Sequence, residues 1–409
     1  MKRRTFISIL IAFAVVLPGY TGKIINKKNN PLIGTNKKTI VPNEAVKKNV
    51  LLEQFFENLC FTNNKVEEKK LLKEYYQLCL KTAKLRFSSG VHVLLNPCVD
   101  LREDGKYNQR NTYKTNDPDI SGNLAAVAVR AYRMGGIGLS IKHFLAETSQ
   151  GKKVNTHFQK VEYSLSGKEL AKHLLPYKII FNNTDCSYIM VGHTIIPKVG
   201  GKNMPLSISP IAIKYLREMG FRGIIVSDDF SRMKGVLDFF EGENKQGQAF
   251  LAFIKAGGTI AGFMGNREAG KAMDYVLPKI EDGSKDAEEL LKKIDAALFL
   301  ILKDKVRVFG NKWLKDAVKN SSGKSNRELI RDLINTMNNK KKLKEIMWVS
   351  FYGNILRDWH GVGGVMLKSK FLKLDVNSNI PVFNITHSTP WERKNEKLLA
   401  EKYSKIGKG

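Results

Sequence analysis

The chain has 409 residues, of which 43% are hydrophobic and 26% charged, so it suits one large α/β barrel or two ordinary globular domains. The formal net charge of +29 favours an anionic partner, such as a membrane surface, a cell-wall polymer or nucleic acid. However, lysine is spread along the whole length without an arginine-rich stripe, so a compositional bias explains the charge equally well. No nucleic-acid groove is predicted.

Residues 1–20 predict export. They combine a basic start with an apolar run from Phe6 to Leu17, which is short for a membrane span but right for the core of a signal peptide. The destination would be the periplasm, the cell envelope or the medium. No cysteine follows the run to carry a lipid, and an uncleaved N-terminal anchor is the alternative. Residues 21–45, rich in Lys, Asn, Gly and Pro, predict an exposed linker.

The cysteines predict no metal site. Cys60, Cys79, Cys98 and Cys186 lack CxxC and Cys/His spacing. Four cysteines in an exported protein could form disulfides. Because Cys98 and Cys186 fall in apparent strands, we expect these two to pack as small apolar residues instead.

Strands and helices alternate over residues 46–309. After helical spacing from Ala45 to Lys84 come, in chain order, the strand VHVLLNPCVD, a helix opened by Asp117-Pro118, the strand IGLSIKHF, a helix near 167–175, the strand SYIMVGHTII, the helix ISPIAIKYLREMGF, the strands GIIVSDD and AGGTIAGFMGN, and an amphipathic helix over 286–305. This alternation predicts parallel strands joined by right-handed crossovers. The fold class is α/β, as an irregular TIM-like (β/α) barrel body.

Polar residues gather at the predicted strand ends, which meet at one mouth in a barrel. They are Asp100, Lys142, His143, His193 and Asp228. The stretch GIIVSDDFSRMKGV is the most informative, because an apolar strand delivers paired carboxylates at its end. The competing interpretation is that one aspartate caps the next helix, and that interpretation suits Asp229 better than Asp228.

Six segments in order resemble glycoside hydrolase family 3, in particular its single-domain β-N-acetylglucosaminidases. They are NPCVD, the Arg110 loop before DPDI, IKHF, VGHTIIPKVGGKNMPLSISP, GFRGIIVSDDFSRMKGV and AGGTIAGFM, within residues 90–307. The resemblance implies a retaining glycosidase with Asp228 as nucleophile. It also implies that Lys142, His143 and Arg110 hold sugar hydroxyls. We place His193 with this substrate-binding group, and Asp100 as a hydrogen-bonding organiser of the mouth.

The resemblance also implies that the acid/base residue is a histidine in a loop, supported by an aspartate two residues before it. Here His157 takes that position, with a proton affinity suited to neutral pH. Asn155 replaces the aspartate and would orient the imidazole by a hydrogen bond but without a full charge. The family's Pro-Gly-His-Gly run is replaced by residues 145–148, Leu-Ala-Glu-Thr. Glu147 is a candidate for a substitute acid; the alternative is that it is an exposed loop glutamate that is only solvated.

The family's first two strands do not precede NPCVD. Similar segments, GVGGVML and IPVFNI, occur instead near the C-terminus. We therefore expect a circular permutation in which residues 326–409 supply the first two barrel strands, after a linker over 310–325. The position of a sugar-binding aspartate then falls near His387. The alternative is that this segment is an unrelated basic appendage.

The sequence thus predicts an exported hydrolase that removes β-linked N-acetylhexosamine from cell-wall or related glycans, without metal or organic cofactor. A catalytically weakened glycan-binding or surface interaction protein on the same fold is the second hypothesis. A β-glycosidase for sugars other than amino sugars is a third, because the altered loops are those that select the sugar. The sequence makes no prediction about oligomers.

Overall fold

A computed structural model describes residues 42–102, 110–149, 154–264, 266–310, 348–349, 364–365, 385–386 and 390–406. The predicted signal segment, nearly all of the first linker, the second linker beyond Gly310, and His387 lie outside these ranges. Within them, no helix combines the length and apolar character needed to cross a membrane.

Strands and helices follow the predicted alternation. The strands are β1 (Val93–Leu94), β2 (Gly138–Phe144), β3 (Tyr188–Val191), β4 (Ile224–Asp229), β5 (Ile260–Gly262), β6 (Trp348–Val349), β7 (Gly364–Val365) and β8 (Ile385–Thr386). The helices are α1 (Pro42–Leu59), α2 (Lys65–Ser88), α3 (Pro118–Met134), α4 (Gly167–Asn183), α5 (Pro197–Gly200), α6 (Pro210–Glu218), α7 (Lys234–Leu237), α8 (Lys245–Ala256), α9 (Asn266–Glu281), α10 (Lys285–Phe309) and α11 (Pro390–Ile406), with a 3-10 turn at Leu206–Ile208.

A six-stranded sheet in the order β5-β4-β3-β2-β1-β8 forms the centre, and every neighbouring pair in it is parallel. Between β3 and β4 the register runs from Tyr188 opposite Ile224 to Val191 opposite Ser227. Parallel strands place their carboxyl ends at one edge, so residues that follow successive strands become neighbours. The predicted α/β class with a TIM-like, curled parallel sheet is confirmed in the form of a half-barrel.

Burial explains why these segments are strands and helices. Ile224, Ile225 and Val226 of β4 are at most 3% exposed, as expected for a parallel strand covered on both faces. Asp117 caps α3 by accepting hydrogen bonds from the backbone N–H groups of Asp119 (2.9 Å) and Ile120 (3.1 Å), which confirms the predicted helix start.

The N-terminal boundary differs from the prediction. Helix α1 begins at Pro42, so the last four residues of the linker predicted over 21–45 are helical. Proline is favoured in the first turn of a helix, because its missing N–H has no partner there in any case. The helical stretch that follows is divided into α1 and α2, and Asn64 caps α2.

The C-terminal segment contributes to the body. Val93 and Leu94 of β1 pair in parallel with Ile385 and Thr386 of β8. Helix α11 packs against α2 and α3, and the hydroxyl of its buried Tyr403 donates to Glu68 (2.7 Å). The other segment that we expected in this sheet behaves differently: β7, from GVGGVML, pairs antiparallel with β6.

Candidate active site

Asp228 stands at the carboxyl end of β4 with its two oxygens held in different ways. The backbone N–H of Asp229 donates to Asp228 Oδ1 at 2.8 Å. Asp228 Oδ2 lies 3.6 Å from Nε2 of His143. His143 is next to the last residue of β2, which is separated from β4 by β3 in the sheet. The side chain of Asp228 is 20% exposed, so one face can be reached from solvent. The strand therefore aims a carboxylate into the mouth and fixes its orientation.

His143 is itself held by Asp100. Its Nδ1 lies 2.9 Å from Asp100 Oδ2, and its backbone N–H donates to Asp100 Oδ1 at 3.0 Å. The N–H and hydroxyl of Thr148 also donate to Asp100 Oδ2, at 3.2 and 2.9 Å. Asp100, in the segment that follows β1, thus holds His143 and the turn after β2 by hydrogen bonds.

The charges of this chain of groups reinforce one another. Burial alone would lower the pKa of His143, but the carboxylate of Asp100 outweighs it and raises the pKa to about 10. Burial would raise the pKa of Asp228, but the positive charge of His143, with contributions from Lys142 and His157, brings it to about 2. An imidazolium between two carboxylates keeps Asp228 ionised across the physiological range.

Lys142 and Arg110 add positive charge on the same side. Burial lowers the pKa of the Lys142 ammonium, and Asp228 partly offsets this effect. Arg110 is exposed in the loop after β1, close enough to Lys142 for its charge to lower the pKa of Lys142 further. The structure therefore brings both predicted sugar-binding cations to the mouth.

His193 lies beneath the mouth rather than on its surface. It is fully buried, stacks on Phe230, and has Nδ1 2.8 Å from the hydroxyl of Ser207 and Nε2 3.3 Å from the carbonyl oxygen of Asp229. A carbonyl only accepts, so Nε2 carries the hydrogen. Burial lowers the pKa of His193 to about 4, and the ring is neutral. Its contacts are those of a support for the β4 end.

His157 approaches the site from the loop before α4. It is half-buried, and its charge contributes to the low pKa of Asp228. Its loop rests on the start of α7, where Gly235 N–H donates to the carbonyl of Thr156 at 2.7 Å. Asn155 differs from our expectation: its side-chain oxygen accepts from the backbone N–H of His157 at 2.9 Å. Asn155 therefore shapes the loop through the backbone.

Glu147 is buried rather than solvated. It lies in the turn after β2 and is 4% exposed. One of its carboxylate oxygens accepts a hydrogen bond from the backbone N–H of His193 (2.6 Å), and the other accepts one from the hydroxyl of Thr156. Burial raises the pKa of Glu147 to about 7, and the nearby negative charge of Asp228 adds to the effect. The expectation of an exposed glutamate was wrong, because contacts distant in sequence enclose the carboxyl.

Asp229 does not cap a helix. Its Oδ1 accepts from the backbone N–H groups of Ser231 (2.8 Å) and Met264 (3.1 Å), whereas α7 begins only at Lys234. These bonds join the turn after β4 to the end of β5. The two adjacent aspartates thus have separate tasks, since only Asp228 faces His143.

A cation could in principle find ligands nearby. Cys98, Asp100 and His143 offer ligand atoms within 4.8 Å of one another, and all three are buried. The positive charge on His143 and the adjacent ammonium of Lys142 disfavour a metal ion there. Cys60, Cys79, Cys98 and Cys186 are free thiols, and the last three are buried.

The site therefore unites Asp100, Lys142, His143, His193 and Asp228, with Arg110 and His157 at its edge. The sequence did not indicate that Glu147 is buried, nor that Thr148 and Thr156 belong to the site. The hydroxyl of Thr148 donates to Asp100, and the hydroxyl of Thr156 donates to Glu147. An α/β body with a fixed carboxylate and several cations at the carboxyl edge of parallel strands is the architecture of a barrel-type enzyme.

Comparison with known proteins defines the family. Residues 61–298, more than half of the chain, match the model of the glycosyl hydrolase family 3 N terminal domain. The chain therefore belongs to glycosyl hydrolase family 3, a family of glycosidases. The probable beta-glucosidase K of Aspergillus fumigatus is 28% identical over 143 residues, which are 35% of this chain and 18% of that protein. The homologue from Emericella nidulans is 27% identical, over 35% of this chain and 16% of that protein. The chain spans less than a fifth of these relatives.

Two solved structures are similar to part of this chain. The family 3 beta-N-acetylglucosaminidase from a Paenibacillus species has a TM-score of 0.48 and 17% identity, covering 69% of this chain and 52% of that one. The beta-N-acetylglucosaminidase from Thermotoga maritima has a TM-score of 0.45 and 22% identity, covering 60% of this chain and 51% of that one.

Proposed function

We propose that the chain is a retaining glycosidase that removes terminal β-linked N-acetylhexosamine from a glycan, with Asp228 as nucleophile. The observation that carries this proposal is the fixed, ionised carboxylate of Asp228 at the end of β4, 3.6 Å from the imidazolium of His143. A retaining enzyme needs such a carboxylate beneath the anomeric carbon. Its low pKa keeps it ready to attack at neutral pH.

The proposed mechanism has two steps, and Asp228 and His157 act in both. Asp228 attacks the anomeric carbon and forms a glycosyl-enzyme, while His157 gives its proton to the leaving oxygen. His157 then takes a proton from the water that hydrolyses the ester, and Asp228 leaves. Lys142, Arg110 and His143 hold sugar hydroxyls. No metal or organic cofactor takes part.

The amino-sugar substrate is supported by the motifs that resemble the family's β-N-acetylglucosaminidases. The curated relatives carry the name probable beta-glucosidase instead, so a β-glucoside is the competing substrate. Residues 1–20 support export, which would bring the protein to cell-wall glycans. The net charge of +29 suits an anionic surface there.

Turnover of chromogenic glycosides tests the proposal. We expect wild type to hydrolyse nitrophenyl β-N-acetylglucosaminide faster than nitrophenyl β-glucoside, and Asp228→Ala to lose about 10⁴-fold or more in kcat/KM. Asp238→Ala, which removes an exposed aspartate after α7, is the matched control and should retain activity. Wild-type activity no greater than that of Asp228→Ala on either substrate would disprove the proposal.

A weakened glycan-binding protein is the second candidate, favoured by the contacts of Asn155. Its side-chain oxygen binds the backbone N–H of His157, and as an amide it cannot supply the negative charge of the family's aspartate. Loss of that charge should slow proton transfer. Binding of N-acetylglucosamine oligomers by wild type, without turnover over hours, would favour this candidate.

We also propose that the C-terminal segment completes the barrel as a circular permutation. The parallel pairing of β8 with β1 supports this, as does Glu396 of α11, whose carboxylate accepts from Asn96 at 3.2 Å beside the site. Deletion of residues 310–409 should then prevent soluble expression, and the separately expressed segment should restore it. A truncated chain that stays folded and soluble would show that the segment is an appendage.

A further inference from the structure

The turn 145–149 holds a buried carboxyl group for which the mechanism above has no use. Glu147 is 4% exposed, and both of its oxygens bind protein groups rather than facing the open mouth. A buried, hydrogen-bonded side chain of this kind fixes the groups that it touches, because breaking either bond leaves a buried polar atom without its partner.

Two hydrogen bonds and one glycine hold Glu147 in this place. The carbonyl of Leu145 accepts from the hydroxyl of Thr194 at 2.7 Å, and Thr148 binds Asp100, so both flanks of the turn are fixed. Gly192 lies against the carboxyl, and a Cβ there would collide with Glu147 Oε2. The missing side chain of residue 192 therefore makes the space that Glu147 occupies.

The contact of Glu147 with Thr156 leads directly to the acid/base loop. Thr156 precedes His157, is fully buried, and its carbonyl binds Gly235 N–H at the start of α7. Thr156 is therefore bound on one side by Glu147 and on the other by α7. The next residue is His157, whose positive charge lowers the pKa of Asp228. A displacement of about 1 Å in a catalytic group can cost about 10²-fold in rate.

We propose that Glu147 is a positioning residue that holds the His157 loop, through Thr156, at the distance from which the imidazole can protonate the leaving oxygen. The inference rests on the proposed function, in which His157 is the proton donor. It assigns to Glu147 the task that Asn155 does not perform, since Asn155 binds only the backbone of the loop.

Leaving groups that differ in basicity separate this role from a general structural one. The leaving oxygen of a phenyl glycoside needs to be protonated. The weakly basic dinitrophenolate of a dinitrophenyl glycoside leaves without protonation. We expect Glu147→Ala to lower kcat/KM for the phenyl β-N-acetylglucosaminide by about 10- to 100-fold. For the dinitrophenyl substrate the change should be smaller than about 3-fold. His157→Ala should show the same selectivity, and the double variant should be no worse than His157→Ala alone.

Conservative variants distinguish positioning from proton donation. Glu147→Gln should stay near wild type with both substrates, because its side-chain oxygen can accept from His193 N–H and its amide can donate to Thr156. Thr156→Val, which removes only the hydroxyl, should reproduce the loss seen in Glu147→Ala. Glu162→Gln, at an exposed glutamate, is the matched control. Hydrogen exchange of amides 154–158 should speed up in Glu147→Ala.

Each contrary result has a distinct meaning. Equal losses with both substrates in Glu147→Ala, or additive losses in the double variant, would overturn the positioning role. A Glu147→Gln enzyme as poor as Glu147→Ala with the phenyl substrate would overturn it too, because Glu147 would then be the donor. Wild type inactive on the dinitrophenyl glycoside would instead overturn the proposed function itself.

Discussion

Two carboxyl groups at the same edge of the sheet, the partly exposed Asp228 and the buried Glu147, have pKa values displaced in opposite directions. Asp228 has a pKa lowered to about 2, whereas Glu147 has a pKa raised to about 7. Burial raises the pKa of both. The difference is that Asp228 faces the imidazolium of His143, while Glu147 is bound by a neutral hydroxyl and a backbone N–H. Placement relative to one cation therefore separates the two pKa values, which suits the roles that we propose, Asp228 as nucleophile and Glu147 as positioning residue.

The largest change to this contrast should come from Asp100→Asn. Without the carboxylate, the pKa of His143 falls from about 10, and Asp228 loses the charge that keeps it ionised. We expect kcat/KM to fall by about 10²- to 10⁴-fold. Stability should fall by about 3 kcal/mol, because a buried charge pair is broken. Kinetic assays and urea unfolding measure the two effects. An unchanged pH–rate profile would contradict the assigned role of Asp100.

The opposite shifts also predict opposite pH dependences of stability. The folded pKa of Asp228 is below its ordinary value of 3.8, so its contribution is present above that pH and is lost as pH falls through about 2. The folded pKa of Glu147 is above its ordinary value of 4.5, so its contribution is present below that pH and is lost as pH rises through about 7.

The Glu147→Gln variant isolates the second effect, because amide and protonated acid are nearly isosteric. Relative to this variant, wild type should lose up to about 3 kcal/mol of unfolding free energy between pH about 4.5 and pH about 8. Denaturant unfolding of both proteins at several pH values measures the difference. A difference that stays constant with pH would show that Glu147 titrates normally.

The turn that positions Glu147 contains backbone strain at Ala146, which should have a smaller effect on stability. Ala146 has a φ of 61°, in the left-handed region that favours glycine. Ala146→Gly should therefore stabilise the protein by about 1 kcal/mol. Thermal unfolding measures this, with Ala212→Gly in α6 as a control that should destabilise it. A lower melting temperature for Ala146→Gly would mean that the turn needs the rigidity of alanine.

The smallest effect is expected at Asp229, the neighbour of Asp228. Asp229→Asn keeps an oxygen that can accept from Ser231 and Met264, so kcat/KM should change less than about 10-fold and stability by about 1 kcal/mol or less. Comparison with Asp228→Ala in the same assay checks the division of labour between the two aspartates. Equal losses would show that the pair acts as one unit.

The same contrast explains what the sequence could predict. Asp100, His143 and Asp228 lie at or near the ends of the apolar strands predicted from the sequence, and the carboxyl ends of parallel strands meet, so their proximity follows from local patterns. Glu147 owes its burial to Gly192, His193 and Thr156, which a turn of unusual backbone brings to it. No periodicity in the sequence reports such contacts. In the C-terminal segment β8 pairs in parallel with β1, whereas the antiparallel pairing of β7 with β6 was not anticipated.

The most direct test of the central claim is to trap the glycosyl-enzyme. Wild type would be incubated with slow fluorinated N-acetylglucosaminyl and glucosyl donors, digested and analysed by mass spectrometry. We expect one sugar residue attached to the peptide that contains Asp228, and no label in Asp228→Ala. A folded wild-type protein that takes no label from either donor, or carries it on another residue, would contradict Asp228 as the nucleophile.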